Sequence, residues 1–220
     1  RLFAPVIDDI LFICDNGART IYHGNLLSCY TIRRELAMEI VREIEALPGC
    51  TTYISAVKDG YVKEGADELY RWLTEGYQLD IKKLKRMPED LPANDGILSV
   101  EMYHPTRAEE IAHQGLYQKW HGHKELQLVC AGKQWMNFTP INADKGIALS
   151  EFQNRYGITP GETMAFGDNM NDASMLLRAD QSYAIGNARK EIKSLTRFVA
   201  DTNINDGVLQ VLRTVKTNIQ

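Results

Sequence analysis

The chain has 220 residues, enough for one large domain or two small ones, and its 44% hydrophobic and 25% charged residues are typical of a globular protein. A formal net charge of −4 gives no overall attraction to nucleic acid or to an anionic membrane, so we expect neither as a partner. No apolar run reaches the roughly 18 residues of a membrane span, no secretory signal is visible, and the four cysteines form no CxxC pair, which together favour a cytoplasmic protein.

The first elements are predicted to be a strand, a turn and an amphipathic helix. Leu11–Cys14 is a short apolar run that ends in the turn residues Asp15–Ala18. Apolar residues then recur at helical spacing between residues 32 and 47. A strand over residues 51–57 follows, and Asp59-Gly60 is a hairpin signal.

The middle of the chain mixes helices with strands that are close in sequence. A helix is predicted around residues 66–74, and Lys82–Arg86 is predicted to form a short basic helix. The elements after Ile97 are a strand to Tyr103, a helix over 106–120, and strands over 126–131 and 135–139. This order predicts an α+β layer with helices on one face of an antiparallel sheet.

After Pro140 the pattern changes to strict alternation of helices and strands. The predicted elements are helix 145–156, strand 163–166, helix 171–178, strand 182–185, helix 188–196, strand 198–200 and helix 207–214. Such alternation predicts a parallel sheet with crossover helices. We therefore predict an α/β fold in which residues 1–26 and 140–220 form one core domain and residues 27–139 are an inserted α+β domain.

The most informative stretch is Gly167–Asp172, Gly-Asp-Asn-Met-Asn-Asp, which follows an apolar strand and precedes a helix. Its position is the carboxyl end of a strand, where open α/β sheets bind their ligands. Asp168 and Asp172 are hard oxygen donors, which suit Mg²⁺ better than a softer metal. The alternative is an Asn- and Asp-rich turn with a capping residue.

Three other short segments follow predicted strands and so belong at the same edge of the sheet. Lys145 opens the first helix after the insert, where its ammonium group can face an anion, and Asp144 can cap that helix. Asn16 ends the first strand, and Gly186–Ala188 lies at a helix start where backbone N–H groups can hold an anion. Each segment also has a plain structural interpretation, as an exposed lysine or a turn.

The order of these segments resembles the haloacid dehalogenase-like superfamily over essentially the whole chain. The segments are Asn-Gly-Ala from Asn16, Lys145-Gly146, Phe-Gly-Asp-Asn-x-Asn-Asp-x-x-Met-Leu from Phe166, and Gly-Asn-Ala from Gly186. The most similar members are Cof-type phosphatases with a large α+β cap inserted after the third core strand. The resemblance implies a Rossmann-like core and a Mg²⁺-dependent phosphohydrolase that acts through an aspartyl-phosphate intermediate.

The resemblance also implies a role for each candidate site residue. Asp168 would ligate Mg²⁺, and Asp172 would support the ion directly or through water. Asn171 would contact the transferring phosphoryl group, and Asn16 would line the site near the substrate. Lys145 would neutralise the negative charge of the phosphate and of the nucleophile.

The sequence departs from the family at one decisive point. The family's first strand ends in Asp-x-Asp followed by Gly-Thr or a similar pair, and its first aspartate is the nucleophile. No such segment occurs in the chain. Two strands, two helices and their loops amount to on the order of 50 residues. We therefore expect the nucleophile upstream of Arg1 in a longer protein, and we expect the 220 residues alone to be inactive.

Two other functions remain open at this point. One is a phosphosugar mutase of the same superfamily, which would move phosphate between positions of one sugar. The other is a non-catalytic relative that binds a phosphorylated ligand. The expected partner is a small phosphorylated metabolite, such as a sugar phosphate, and the insert is expected to supply the contacts that select it.

Overall fold

The computed structural model describes residues 3–130 and 132–217, and its contacts divide the chain into two units, Arg1–Ala143 and Asp144–Gln220. The strands are β1 (Leu11–Cys14), β2 (Arg19–Tyr22), β3 (Asn25–Cys29), β4 (Thr51–Ala56), β5 (Gly60–Lys63), β6 (Ile81–Leu84), β7 (Ile97–Tyr103), β8 (Leu126–Cys130), β9 (Trp135–Pro140), β10 (Met164–Gly167), β11 (Gln181–Ala184) and β12 (Phe198–Val199). The helices are α1 (Arg34–Glu45), α2 (Asp67–Arg71), α3 (Ala108–Gln114), α4 (Leu116–Trp120), α5 (Lys145–Tyr156), α6 (Ala173–Leu176), α7 (Lys190–Leu195) and α8 (Gly207–Thr217).

The first unit contains two sheets. Strands β1, β2 and β3 form a three-stranded antiparallel sheet. The larger sheet has six strands in the order β6-β5-β4-β7-β9-β8, and its strands pair antiparallel except for β5 with β6. The predicted antiparallel sheet and the hairpin at Asp59-Gly60 are therefore confirmed.

Helices α1, α3 and α4 pack on one face of the six-stranded sheet. In α1 the buried residues Leu36, Ile40 and Ile44 recur every four positions, so they form one apolar stripe. This stripe joins one hydrophobic core with the inward residues of the strands, such as Met102 and Phe138. The face that carries α1, α3 and α4 is thus the main core of the first unit. Leu69 of α2 packs against the opposite face with Tyr53 and Tyr103, so the predicted placement of the helices on one face is only partly correct.

The second unit is a small α/β layer. Strands β10, β11 and β12 form a parallel sheet in that order, with Phe166 opposite Tyr183 and Tyr183 opposite Phe198. The core beside it is built from Leu176, Ile192 and several alanines. Helices alternate with the strands along the chain, which confirms the predicted Rossmann-like α/β class.

Some predicted elements differ from the structure. The prediction of a basic helix at Lys82–Arg86 is wrong, because Ile81–Leu84 is an edge strand parallel to β5. The lysines of this strand form ion pairs with Asp59 and Asp67. Pairing with a neighbouring strand outweighs local propensity here. The helix predicted over 106–120 is two helices, divided at Gly115.

The predicted boundaries of the domains stay a prediction. The first unit contains both the predicted insert, residues 27–139, and the predicted first core segment, residues 1–26. The predicted core segments include residues 1, 2 and 218–220, and the predicted strand over 126–131 includes Ala131; these residues lie outside the described ones. No helix within residues 3–130 and 132–217 is long and apolar enough to cross a membrane.

Candidate active site

The site in the second unit begins at the capped N-terminus of α5. Asp144 has extended backbone angles, and its Oδ1 accepts a hydrogen bond of 2.8 Å from the backbone N–H of Ile147. The carboxylate therefore satisfies one of the free N–H groups of the first turn, and the predicted cap is confirmed. The cap fixes Lys145 as the first residue of the helix.

Gly146 allows the start of α5 to lie directly against the backbone of α6. A Cβ atom at position 146 would lie 2.4 Å from the carbonyl carbon of Ser174, closer than real contacts allow. The backbone N–H of Gly146 donates to Oγ of Ser174 at 3.2 Å. Glycine at this position thus brings the neighbouring lysine close to the turn that precedes α6.

The turn after β10 is organised around the buried side chain of Asp172. Its Oδ2 accepts hydrogen bonds from the backbone N–H groups of Asp168, at 3.0 Å, and Asn169, at 3.3 Å. A Cβ atom on Gly167 would lie 2.6 Å from the Cβ of Asp172, so only glycine leaves room for this arrangement. Asp172 therefore holds the loop in shape with one of its two oxygens.

The other oxygen of Asp172 binds the predicted lysine. Nζ of Lys145 lies 2.6 Å from Oδ1 of Asp172, and the side chains are 26% and 9% exposed. A charge-assisted hydrogen bond between partly buried groups is stronger than a neutral one. The structure therefore brings together two predicted site residues that are 27 positions apart in sequence.

The other two predicted residues of this unit lie in the same loop. Asp168 directly follows β10 and is exposed. Its backbone carbonyl accepts a hydrogen bond of 3.1 Å from the backbone N–H of Arg189. Asn171 is half-buried in the single 3-10 turn Met170–Asp172. Lys145, Asp168, Asn171 and Asp172 thus form one cluster at the carboxyl end of β10.

Asn16 belongs to the first unit. It lies in the turn Asp15–Gly17 after β1 and has a φ of 55°, in the left-handed region that asparagine tolerates better than most residues. Asp15 before it also has a positive φ, and its Oδ1 accepts a hydrogen bond of 2.6 Å from Oγ of Ser55. The turn is therefore fixed by a contact to the six-stranded sheet.

The residues of the cluster fit a hard cation that is held partly by water. Asp168 offers an exposed carboxylate, and carboxylate and carboxamide oxygens are the ligands that Mg²⁺ prefers. Both oxygens of Asp172 already accept hydrogen bonds, which favours support of an ion through water. Within the described ranges no three His, Cys, Asp or Glu residues form a complete metal cluster, so further ligands would have to come from water or from elsewhere.

Sequence reasoning missed the positioning role of the two glycines. Gly146 and Gly167 each precede or follow a predicted site residue, and each is tightly enclosed by the segment that carries Asp172. The signal was present, because a glycine beside a polar site residue often marks close approach of two backbones. The residue that each glycine approaches could not be read from the sequence.

Nearly the whole chain matches one known protein family. The family model described as haloacid dehalogenase-like hydrolase matches residues 3–212. The chain belongs to this family. The family is the one that the sequence motifs resemble.

Two curated relatives from Bacillus subtilis illustrate the similarity. The 5-amino-6-(5-phospho-D-ribitylamino)uracil phosphatase YcsE is 32% identical over 90 residues, which is 41% of this chain and 36% of the relative. A second phosphatase described by the same substrate, YwtE, is 28% identical over 162 residues, or 70% of this chain and 54% of the relative. The matched stretches thus span between about a third and about a half of these relatives' lengths.

Solved structures extend the similarity over nearly all of the chain. A crystal structure from Streptococcus mutans is 26% identical, has a TM-score of 0.84, and matches 99% of this chain and 81% of its own. About a fifth of the solved chain has no counterpart in this chain. The overall fold is that of the family.

Proposed function

We propose that this chain is part of a Mg²⁺-dependent phosphohydrolase that acts on small phosphorylated metabolites. The single observation that carries the proposal is the ion pair of Lys145 with Asp172 beside the exposed Asp168, at the carboxyl end of a parallel strand. Membership of the hydrolase family and the names of the phosphatase relatives support it.

Each residue has a chemical role in this proposal. The ammonium group of Lys145 offsets the negative charge of the phosphoryl oxygens, and Asn171 donates its amide N–H groups to them. Asp168 would hold the metal ion, and Asp172, which holds Lys145 in place, would support that ion through water. Bound Mg²⁺ supplies positive charge, which lowers the barrier to phosphoryl transfer.

The covalent step needs an aspartate that we place upstream of residue 1. Its carboxylate attacks phosphorus while the ester oxygen leaves with a proton from the second aspartate of the same upstream Asp-x-Asp segment, which recovers a proton from the water of the next step. Water then attacks the acyl phosphate, which releases inorganic phosphate and regenerates the carboxylate. Asn16 lines the substrate side of the site in this proposal, as the family resemblance implies.

The substrate class is proposed to be a sugar phosphate or a similar metabolite. The names of two relatives, which state a phosphorylated ribityl compound as substrate, support this class. The test is release of inorganic phosphate from a panel of phosphomonoesters by the full-length gene product, with Mg²⁺ and with a chelator. Metal-dependent release supports the proposal. Isomerisation of a sugar phosphate without release would instead indicate a mutase, and binding without either would indicate a non-catalytic relative.

A further inference from the structure

Two contacts run side by side between the start of α5 and the segment that follows β10. Nζ of Lys145 lies 2.6 Å from Oδ1 of Asp172, and the backbone N–H of Gly146 donates to Oγ of Ser174 at 3.2 Å. The donors are consecutive residues and the acceptors are two positions apart, so the start of the helix is attached at two neighbouring points. The proposed chemistry uses the first contact and assigns no role to the second.

The hydroxyl of Ser174 satisfies a backbone donor that α5 itself cannot satisfy. The N–H groups in the first turn of a helix have no carbonyl partner within that helix. The cap residue Asp144 accepts the N–H of Ile147, and Ser174 accepts the N–H of Gly146. Because Gly146 is buried, its N–H group would have little access to water if the oxygen of Ser174 were removed. Loss of that oxygen would therefore loosen the first turn.

Ser174 is itself held in place by the core of the second unit. It lies in the short helix α6, whose Leu176 is 1% exposed and belongs to the same hydrophobic core as Ile192. The backbone after Ser174 lies directly against α5, since a Cβ atom on Gly146 would be 2.8 Å from the backbone nitrogen of Met175. The serine oxygen is therefore a fixed point against which the start of α5 is placed.

The far half of α5 is attached by a different side chain. The amide of the buried Gln153 donates to Oγ1 of Thr163 at 2.7 Å and to the carbonyl of Arg178 at 3.1 Å. Gly146 and Gln153 are about 10 Å apart along the helix axis, so a tilt of about 6° at Gln153 would move the start of α5 by about 1 Å. The contact to Ser174 opposes this tilt at the end of the helix where the displacement would be largest.

We propose that Ser174 is a positioning residue for the ammonium group of Lys145. The lysine side chain is long and flexible, so Asp172 fixes its end, whereas Ser174 fixes the backbone from which it extends. A displacement of about 1 Å in a group that stabilises a transition state can lower the rate by about a hundredfold. The expected effect on rate rests on the proposed phosphatase function, but the expected effect on the ion pair does not.

The first measurement is kcat for phosphate release by the full-length gene product with Mg²⁺. Ser174→Ala should lower kcat by about tenfold in the parent protein but by less than about twofold in Lys145→Met, because Ser174 acts through that lysine. Ser182→Ala is the matched control, since Oγ of Ser182 also accepts a backbone N–H at 3.2 Å, that of Arg197, but lies near the start of β11. It should stay within about twofold of the parent rate. An unchanged rate in Ser174→Ala, the same loss in both backgrounds, or an equal loss in Ser182→Ala would overturn the proposal.

The second measurement does not depend on catalysis. A double-mutant cycle with Lys145→Met and Asp172→Asn, followed by urea unfolding of the full-length gene product, gives the coupling free energy of the ion pair. This coupling should fall by more than about half when Ser174→Ala is also present, and it should be unchanged with Ser182→Ala. Unchanged coupling with Ser174→Ala would overturn the positioning role. A lost coupling in a protein that releases no phosphate would instead remove the phosphatase function and support the positioning role.

Discussion

Lys145 and Asp172 form an ion pair of 2.6 Å that joins the first residue of α5 to the loop after β10. The two side chains are mostly buried, so the surrounding protein screens their attraction less than water would. Asp172 also accepts two backbone hydrogen bonds, which fix its orientation. The pair is therefore both a structural link and the source of a positioned ammonium group.

The first prediction concerns the strength of this pair. A double-mutant cycle with Lys145→Met and Asp172→Asn should give a coupling free energy above about 1 kcal/mol, measured by urea unfolding. The matched control is the solvent-exposed pair of Arg86 and Asp90, at 2.7 Å, whose coupling should be clearly weaker because water screens it. Equal coupling in both pairs would show that burial of the Lys145 pair contributes nothing.

The second prediction concerns the close approach at Gly167. Gly167→Ala should lower the free energy of unfolding by about 2 kcal/mol or more, because the new Cβ would overlap with the side chain of Asp172. Gly115→Ala is the control, since a Cβ there meets no atom within 4 Å. It should change stability by less than about 0.5 kcal/mol. Similar effects of the two substitutions in urea unfolding would argue against the tight turn.

The third prediction concerns a buried hydrogen bond in the first unit. The hydroxyl of Tyr61 donates to Oδ2 of Asp95 at 2.7 Å, and both residues are buried. Tyr61→Phe should lower the free energy of unfolding by about 1–3 kcal/mol, because it leaves a buried carboxylate oxygen without its donor. Tyr77→Phe, at a residue that is 58% exposed, should have almost no effect. A thermal melt in which both variants match the parent chain would refute this contribution.

The fourth prediction follows from the raised pKa of Glu101. Burial and, to a smaller extent, the charge of Asp15 raise this pKa from an ordinary value of 4.5 to about 7, so the folded chain binds the proton more tightly than the unfolded chain. The resulting stabilisation is complete below pH 4.5 and is lost as the pH rises to about 7. Arg19 lines the same cavity as Glu101 and supplies positive charge there, whereas the hydroxyl of Tyr53 stays uncharged because burial raises its pKa to about 12.

Glu101→Gln should remove this pH dependence. Between about pH 5 and about pH 8 the parent chain should lose about 1–2 kcal/mol more unfolding free energy than the variant, since the half-buried carboxylate is partly screened by solvent. Glu64→Gln, at an exposed position, should follow the parent chain. Superimposable pH profiles for Glu101→Gln and the parent chain would contradict the assignment.

Local patterns predicted most of the elements that carry the site. Helix α5 has the predicted bounds, because an Asp N-cap and Gly157 at its C-terminus, with a φ of 69°, mark both ends in the sequence. The turn after β10 was found because its polar residues follow a short apolar strand. These are short-range signals, and they describe single elements well.

Other features depend on contacts that are distant in sequence. Ile81–Leu84 forms a strand because it pairs with β5. Its lysines indicate a helix in the local sequence, and no local signal for a strand outweighs them. The cavity beside Glu101 and Asn137 arises from strands that are brought together only in the folded sheet. These two residues look like ordinary alternating polar residues in the sequence, so the sequence analysis could not single them out.

The most direct test of the central claim is the rate of phosphate release by the full-length gene product and three of its variants. With Mg²⁺ present, Lys145→Met and Asp168→Asn should each lower kcat by at least about a hundredfold, because each removes charge from the site. Asp180→Asn is the control for Asp168→Asn, because it makes the same Asp-to-Asn change. Asp180 directly precedes β11, at the amino ends of the strands and away from the site, so this variant should retain the parent rate. Release that persists in a chelator, or that survives both Lys145→Met and Asp168→Asn, would contradict the account.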